Sequence, residues 1–131
     1  MLPSDPAVDR VGIVTTRLPD GPWSATMTVT DEDLNRHGVG HGGVLFLLAD
    51  AVFERVTNAD LPPDRVAFAA GATIDYLRPA KPGDTVTAIG AVKDTWGRTT
   101  MVDVAITNQD DDVIAHFRGQ TRTVDREREG R

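Results

Sequence analysis

The sequence predicts an α+β domain in which one long helix is enclosed by an antiparallel sheet. Three observations predict it. Residues 42–58 read as one helix whose middle, VLFLLADAVF (44–53), is apolar on nearly every side, and such a helix must be wrapped by other structure. Four strand-like segments follow it, joined by short turns in the manner of an antiparallel sheet. Two more strand-like segments precede it. A sheet curled around the helix accommodates all three, with a partner molecule covering the side left open.

The elements follow in order. Residues 4–10 predict a short helix with Ser4 as its N-cap. Residues 11–18 and 23–30 predict two strands, separated by the turn signal Pro19-Asp20-Gly21-Pro22. In the second strand Ala25, Met27 and Val29 share one face, opposite Ser24, Thr26, Thr28 and Thr30. Asp31 to Asn35 predicts a turn or helical start, and a glycine-rich loop, Gly38 to Gly43, leads into the long helix. After Pro62-Pro63 come strands over 65–77 and 84–94, divided by Pro79 and Pro82-Gly83. Trp96-Gly97 turns the chain into a strand over 98–108, with Val102, Val104 and Ile106 on one face. The polar turn Asn108 to Asp112 precedes the last strand, 113–124. Residues 1–124 thus form a single domain, and the mixed-charge run 125–131 predicts a solvated, mobile tail.

Composition narrows the function. A chain of 131 residues is the size of one domain and can bury a core without staples. Its net charge of −6 argues against nucleic acid, which demands a basic face. The absence of cysteine removes disulfides, thiolate metal sites and a cysteine nucleophile. The opening segment, MLPSDPAVDR, lacks the apolar run of a signal peptide. The longest apolar stretch, 44–53, is about half of the roughly 20 residues that span a membrane. A cytoplasmic protein with no membrane partner is expected.

Asp50 is the anomaly. It is the one charged residue between His41 and Glu54, and a carboxylate in so apolar a run is costly to bury without a partner. Desolvation would raise its pKa toward a range useful for proton transfer. The plainer alternative is an aspartate facing the surface or held by a backbone donor. A second feature is His41-Gly42-Gly43 at the helix start. The first amides of a helix lack internal partners and favour negative charge, which suits a polarised carbonyl and the oxyanion that forms from it. The plainer alternative there is a tight helix entry. Gly42 and Asp50 are eight residues apart, about 12 Å along a helix at 1.5 Å per residue. If both act on one carbonyl, Asp50 must come from a second copy related by a two-fold axis.

The segment LNRHGVGHGGVLFLLAD (Leu34 to Asp50) resembles the signature of the PaaI group, the phenylacetic-acid-degradation thioesterases of the hotdog superfamily. The likeness extends through TMTVT (Thr26 to Thr30), ATIDYLRPAKPGDTVTA (Ala72 to Ala88) and FRGQTRTV (Phe117 to Val124). It implies the hotdog fold, an α+β architecture with a curved antiparallel sheet around a central helix. It also implies hydrolysis of acyl-CoA thioesters, often with phenylacetyl or hydroxyphenylacetyl groups. By the resemblance Asp50 is the catalytic carboxylate, Gly42 the amide that binds the thioester oxygen, and Asn35 the residue positioning the attacking water. His41 supports the active-site loop. The resemblance further implies a homodimer, usually paired into a homotetramer. It implies no metal and no cofactor, coenzyme A being part of the substrate.

Two departures bear on the acyl group. Ala51 stands where many members have threonine, and Glu54-Arg55 stands where small or aromatic apolar residues are expected. Ala51, Glu54 and Gly43 are therefore candidate substrate-binding positions. Being adjacent, Glu54 and Arg55 should not share a helix face, and an exposed helix end would explain both. Arg78, Lys81, Arg98 and Arg122 are candidate contacts for the CoA phosphates. His37 and His41 have a metal-pair spacing but sit in a loop with no third ligand nearby. His116 reads as a sheet residue, and Asp75 and Asp103 as solvent-facing strand carboxylates. Thr121 and Thr123 suggest no chemistry, and Trp23 and Trp96 suit either core or acyl-pocket walls. Two other functions compete: a hotdog acyl-thioester dehydratase or hydratase, and a non-catalytic acyl-CoA binder.

Overall fold

The computed structural model describes residues 4–126. Along the chain it contains α1 (Pro6–Val11), β1 (Val14–Arg17), β2 (Trp23–Thr28), a 3-10 turn (Asp31–Asp33) and α2 (Gly42–Asn58). Then come β3 (Arg65–Tyr76), β4 (Thr85–Trp96), β5 (Thr99–Thr107) and β6 (Val113–Asp125). The strands form one antiparallel sheet in the order β1-β2-β4-β5-β6-β3. The consecutive hairpins β4-β5-β6 make its centre. β3, which follows the helix, crosses to the far side, pairs with β6 and leaves its other edge free.

Helix α2 lies across the sheet. Leu48, Ala49 and Val52 are fully buried in one core with Ala25, Val86, Ala88, Val102 and Ile106. The alternation read from β2 and β5 holds: Ala25, Met27 and Val29, and Val102, Val104 and Ile106, all face this core. Two strand glycines allow the close approach. A Cβ at Gly90 would stand 2.5 Å from Val52 Cγ1, and one at Gly119 would stand 2.7 Å from Phe53 Cζ. The helix is not buried all round within one chain. Val44, Phe46, Leu47 and Asp50 are half-buried, and α1 covers only the turn around Ala51, Glu54 and Arg55.

Several boundaries differ from expectation. The N-cap of α1 is Asp5, not Ser4, because the Asp5 carboxylate reaches the Val8 amide. β1 begins three residues later than expected, since Val11 still belongs to α1 and Gly12 ends it in the left-handed region at φ 80°. β4 runs on to Trp96 through an irregularity between Val92 and Asp94. β6 includes Asp125, and the Arg126 amide donates to the Asp64 carbonyl at 2.8 Å. The rest of the expected tail, 127–131, lies outside the described residues. Among the described residues no helix is long and apolar enough to cross a membrane.

Candidate active site

The site begins with a folded loop, residues 30–41. Thr30 and Asp33 cap the 3-10 turn: the Thr30 amide and hydroxyl both donate to Asp33 Oδ2, at 2.8 and 3.0 Å. The Asp33 carbonyl then accepts from the His41 amide at 2.8 Å, tying the loop's start to its end. Asn35 organises the middle. Its Oδ1 accepts from the amides of His37 (2.9 Å) and Val39 (3.4 Å), the side-chain-to-backbone turn that asparagine favours. The oxygen is thereby spent on the loop, while the Asn35 side-chain N–H groups meet no acceptor among the described residues.

The helix entry is held just as closely. His41 is the N-cap of α2, and its Nδ1 accepts from the Gly43 amide at 2.9 Å. A nitrogen that accepts carries no proton, so the His41 ring proton sits on Nε2. The Gly43 amide, a candidate for substrate binding, is thus occupied. The Gly42 amide meets no acceptor among the described residues and is the open donor at the helix terminus. The Gly42 carbonyl accepts from the Tyr76 hydroxyl at 2.7 Å. The Tyr76 ring fills the space a side chain would need: a Cβ on Gly42 would lie 3.0 Å from Tyr76 Cζ. The peptide unit between Gly42 and Gly43 is therefore pinned at both ends, by Tyr76 and by His41. Burial pushes the Tyr76 phenol above its ordinary range. Tyr76 was not singled out in the sequence, where it looks like an ordinary residue at a strand end.

Asn35, Gly42, Leu45, Tyr76 and Arg78 line one cavity of about 370 Å³. Asp50 lies elsewhere. It opens into a second cavity, of about 200 Å³, with Phe53, Glu54, Phe68 and Thr121. Asp50 is half-buried, and no donor reaches its carboxylate among the described residues. Desolvation raises its pKa above 3.8, and Asp5 on α1 adds to the rise. No backbone donor holds it among the described residues, and it stands half-buried on the side of α2 that the chain itself leaves uncovered. Glu54, one turn on, is also raised: burial leads, Arg55 pulls it back, and Asp5 and Asp50 push it up again.

The remaining candidates are placed as follows. Ala51 is buried and lines a third cavity, under α1, together with Glu54 and Arg55. Glu54 and Arg55 do come within ion-pair range, 3.9 Å, because the long arginine side chain folds back over the turn. The exposed-end explanation fails for Arg55, whose side chain is only 14% exposed. Arg78 reaches the Gly42 cavity, while Arg98 and Arg122 flank the first residues of β3 at the other end of that strand. Lys81 lies near Arg78. His37 is exposed on the loop, and His41 spends Nδ1 on Gly43, so the two do not form a helical metal pair. A hollow of about 660 Å³ lies on the outer face of the sheet. There Asp103 and Arg118 pair at 2.6 and 2.9 Å, which holds the Asp103 carboxyl below its usual range, with Asp75 and His116 beside them. None of the candidate site residues reaches it.

Residues 37–115 match the family model described as the Thioesterase superfamily. The Escherichia coli (strain K12) protein named acyl-coenzyme A thioesterase PaaI is 37% identical over 124 residues, covering 95% of this chain and 86% of that protein. The chain belongs to the thioesterase superfamily. This thioesterase superposes on the structure of the E. coli PaaI protein from the phenylacetic acid degradation operon with a TM-score of 0.84, over 92% of this chain and 86% of that one, at 37% identity. The structure of smu.793 from Streptococcus mutans UA159, bound to acetyl CoA, matches with a TM-score of 0.76 at 27% identity, over 88% and 91% of the two chains. The sheet around α2 is the hotdog fold, and the PaaI-type membership expected from Leu34 to Asp50 stands, as does thioester hydrolysis as the enzyme class.

Proposed function

We propose that this thioesterase hydrolyses small acyl-CoA thioesters, with aromatic acyl groups of the phenylacetyl type as its preferred substrates, in a site shared by two copies of the chain. One observation carries the shared site. The Gly42 cavity borders the last residue of β3, Tyr76, and Leu77 just after it, and the Asp50 cavity borders Ala67 to Ala69 near the strand's start. β3 is a twelve-residue edge strand with one side unpaired. Long free edges of this kind invite a second strand. Antiparallel pairing of β3 with its own copy about a two-fold axis sets the first residues of one strand beside the last residues of the other. That brings each Asp50 cavity to the partner's Gly42 loop. Such dimers pair further into a homotetramer in this reading, in the cytoplasm.

The chemistry follows from the groups already described. The thioester oxygen lies on the open Gly42 amide, where the helix terminus stabilises the developing oxyanion. Asp50 of the facing copy accepts a proton from water as that water attacks the carbonyl carbon. The raised pKa of Asp50 makes it a stronger base than an ordinary carboxylate. The open N–H groups of Asn35 direct the water. The C–S bond then breaks, the acid forms and CoA leaves as the thiol. Arg78 of one copy with Arg98 and Arg122 of the other supply positive charge near the strand ends, where the phosphates of CoA would lie.

Thiol release from phenylacetyl-, benzoyl- and straight-chain acyl-CoAs, measured for the parent and Asp50→Asn, tests the reading. The parent releases thiol fastest from phenylacetyl-CoA, and Asp50→Asn binds the thioester but loses turnover. Binding without release in the parent would instead mark a carrier. Single turnover in ¹⁸O-water probes the chemical route: label in Asp50 marks an anhydride opened at the aspartyl carbonyl, whereas direct water attack on the thioester never labels Asp50.

A further inference from the structure

We propose that Glu54 is a positioning residue for the hydrolysis: its carboxylate, one turn beyond Asp50 on α2 and in the wall of the same cavity, acts on the reaction through the charge of Asp50. The inference rests on the reading above, in which Asp50 is the base, and adds a residue to it. The sequence resemblance predicts a small or aromatic apolar side chain at position 54, so the carboxylate belongs to this chain rather than to the fold.

Geometry sets Glu54 apart. It lines the Asp50 cavity, and it also lines the cavity under α1 together with Asp5, Asp9 and Arg55. No other residue lines both of these cavities. Residues four apart on a helix are neighbours on one face, so the Asp50 and Glu54 carboxylates occupy adjacent turns. Glu54 Oε1 lies 3.9 Å from Arg55 Nη1, at the outer limit of an ion pair. Glu54 Oε2 is sealed from solvent and has no partner among the described residues. Buried polar atoms are nearly always paired, and each exception calls for an explanation. A carboxylate held unpaired beside a reacting group finds one in the chemistry of that group.

The charges that face Asp50 follow from the elements around it. α2 supplies Glu54 and Arg55, and α1 supplies Asp5 with Asp9 beyond it. The β3 and β6 walls supply Ala67, Phe68, Ala69 and Thr121, which carry no charge. In the shared site the loop of the facing copy adds His41, whose Nδ1 is spent on Gly43. Burial and Asp5 raise the pKa of Asp50. Burial raises that of Glu54, Arg55 lowers it, and Asp5 and Asp50 raise it again. Aspartate is the stronger acid of the two side chains, so Asp50 gives up its proton first. Glu54 then ionises against the charge on Asp50, and the two titrate as a pair. Once charged, Glu54 increases the proton affinity of the Asp50 carboxylate, and a stronger base takes a proton from water more readily.

The experiment is the pH profile of kcat/KM on phenylacetyl-CoA for the parent, Glu54→Gln and Glu54→Asp. The parent rises with pH through two steps, the second lifting the rate about two- to threefold. Glu54→Gln keeps the first step and loses the second, and Glu54→Asp keeps both. A glutamate that served only the fold would lower the whole curve and leave its shape unchanged, which overturns the proposal. A single step in the parent overturns it too, as does a second step that survives Glu54→Gln, which belongs to His41 or to the phosphates of the substrate. Carboxyl ¹³C resonances of the parent give an answer that needs neither a variant nor turnover. The Asp50 resonance shifts twice, the second time as Glu54 ionises. A single shift overturns the proposal even where Glu54→Gln fails to fold. If no thioester releases thiol while the two carboxyls titrate as a pair, the hydrolase reading fails and the coupling stands, so the two failures are told apart.

Discussion

At Asp50 the needs of the reaction and of the fold oppose each other. The carboxylate is half-buried without a donor, and desolvation and Asp5 both raise its pKa above 3.8. A carboxyl raised on folding binds its proton more tightly in the native state. Native stability is therefore greatest while Asp50 is protonated and declines as the pH climbs from 3.8 through the raised value. At neutral pH the charged form is a cost to the fold. Asp50→Asn should accordingly raise the melting temperature by a few degrees at pH 7, and should flatten the decline in stability across that window. Turnover should fall by about 10²–10⁴-fold in the same protein. Calorimetry and thiol release on one preparation check both. The acid limb of kcat/KM for the parent should lie above the ordinary aspartate range, since the base works only when deprotonated. Tyr76 makes a different residue-scale prediction. Its hydroxyl pins the peptide after Gly42 without touching the reacting carbon, so Tyr76→Phe should lower kcat about tenfold with KM nearly unchanged, at a stability cost of about 1 kcal/mol. Steady-state kinetics and urea unfolding measure the two effects.

The elements show how strongly α2 depends on what lies beneath it. Gly119 faces Phe53 so closely that a methyl group would fall 2.7 Å from the ring and 2.9 Å from Phe117. Gly119→Ala should destabilise the fold by about 1–3 kcal/mol, read as a lower urea midpoint with an unchanged slope. The helix itself was legible from residue order, and its ends fell at Gly42 and Asn58 as expected, because a capping residue, two glycines and a long apolar run leave little choice. Strand ends were less so. Val11 has the pattern of a strand residue, but Gly12 is free to turn left-handed and lets α1 keep it. Asp50 and Gly42 stood out in sequence because a charge in an apolar run and a glycine pair before a helix are local signals. Tyr76 carried no such signal, because it matters through a bond to a residue 34 positions away, a tertiary contact between distant segments.

For the whole molecule the question is which chain supplies which half of the site. The spacing on α2 already posed it: about 12 Å separates Gly42 from Asp50 on one helix, too far for one carbonyl. The described residues sharpen it, since the two groups open into different cavities at opposite ends of a free strand. Mixing variants answers it. One preparation carries Asp50→Asn and the other Gly42→Val, whose side chain would collide with the Tyr76 ring. Each alone should be nearly inactive. Unfolded together in equal amounts and refolded, half of the dimers pair unlike chains. In each of these one site inherits both lesions, and the other inherits none. About a quarter of the parental activity should return, in a species at least twice the 14.1 kDa chain mass by light scattering. A site contained within one chain predicts no recovery at any mixing ratio, because every chain then carries its own defect. Recovery that rises and falls with the fraction of unlike pairs would tie catalysis to the junction of the two β3 edges.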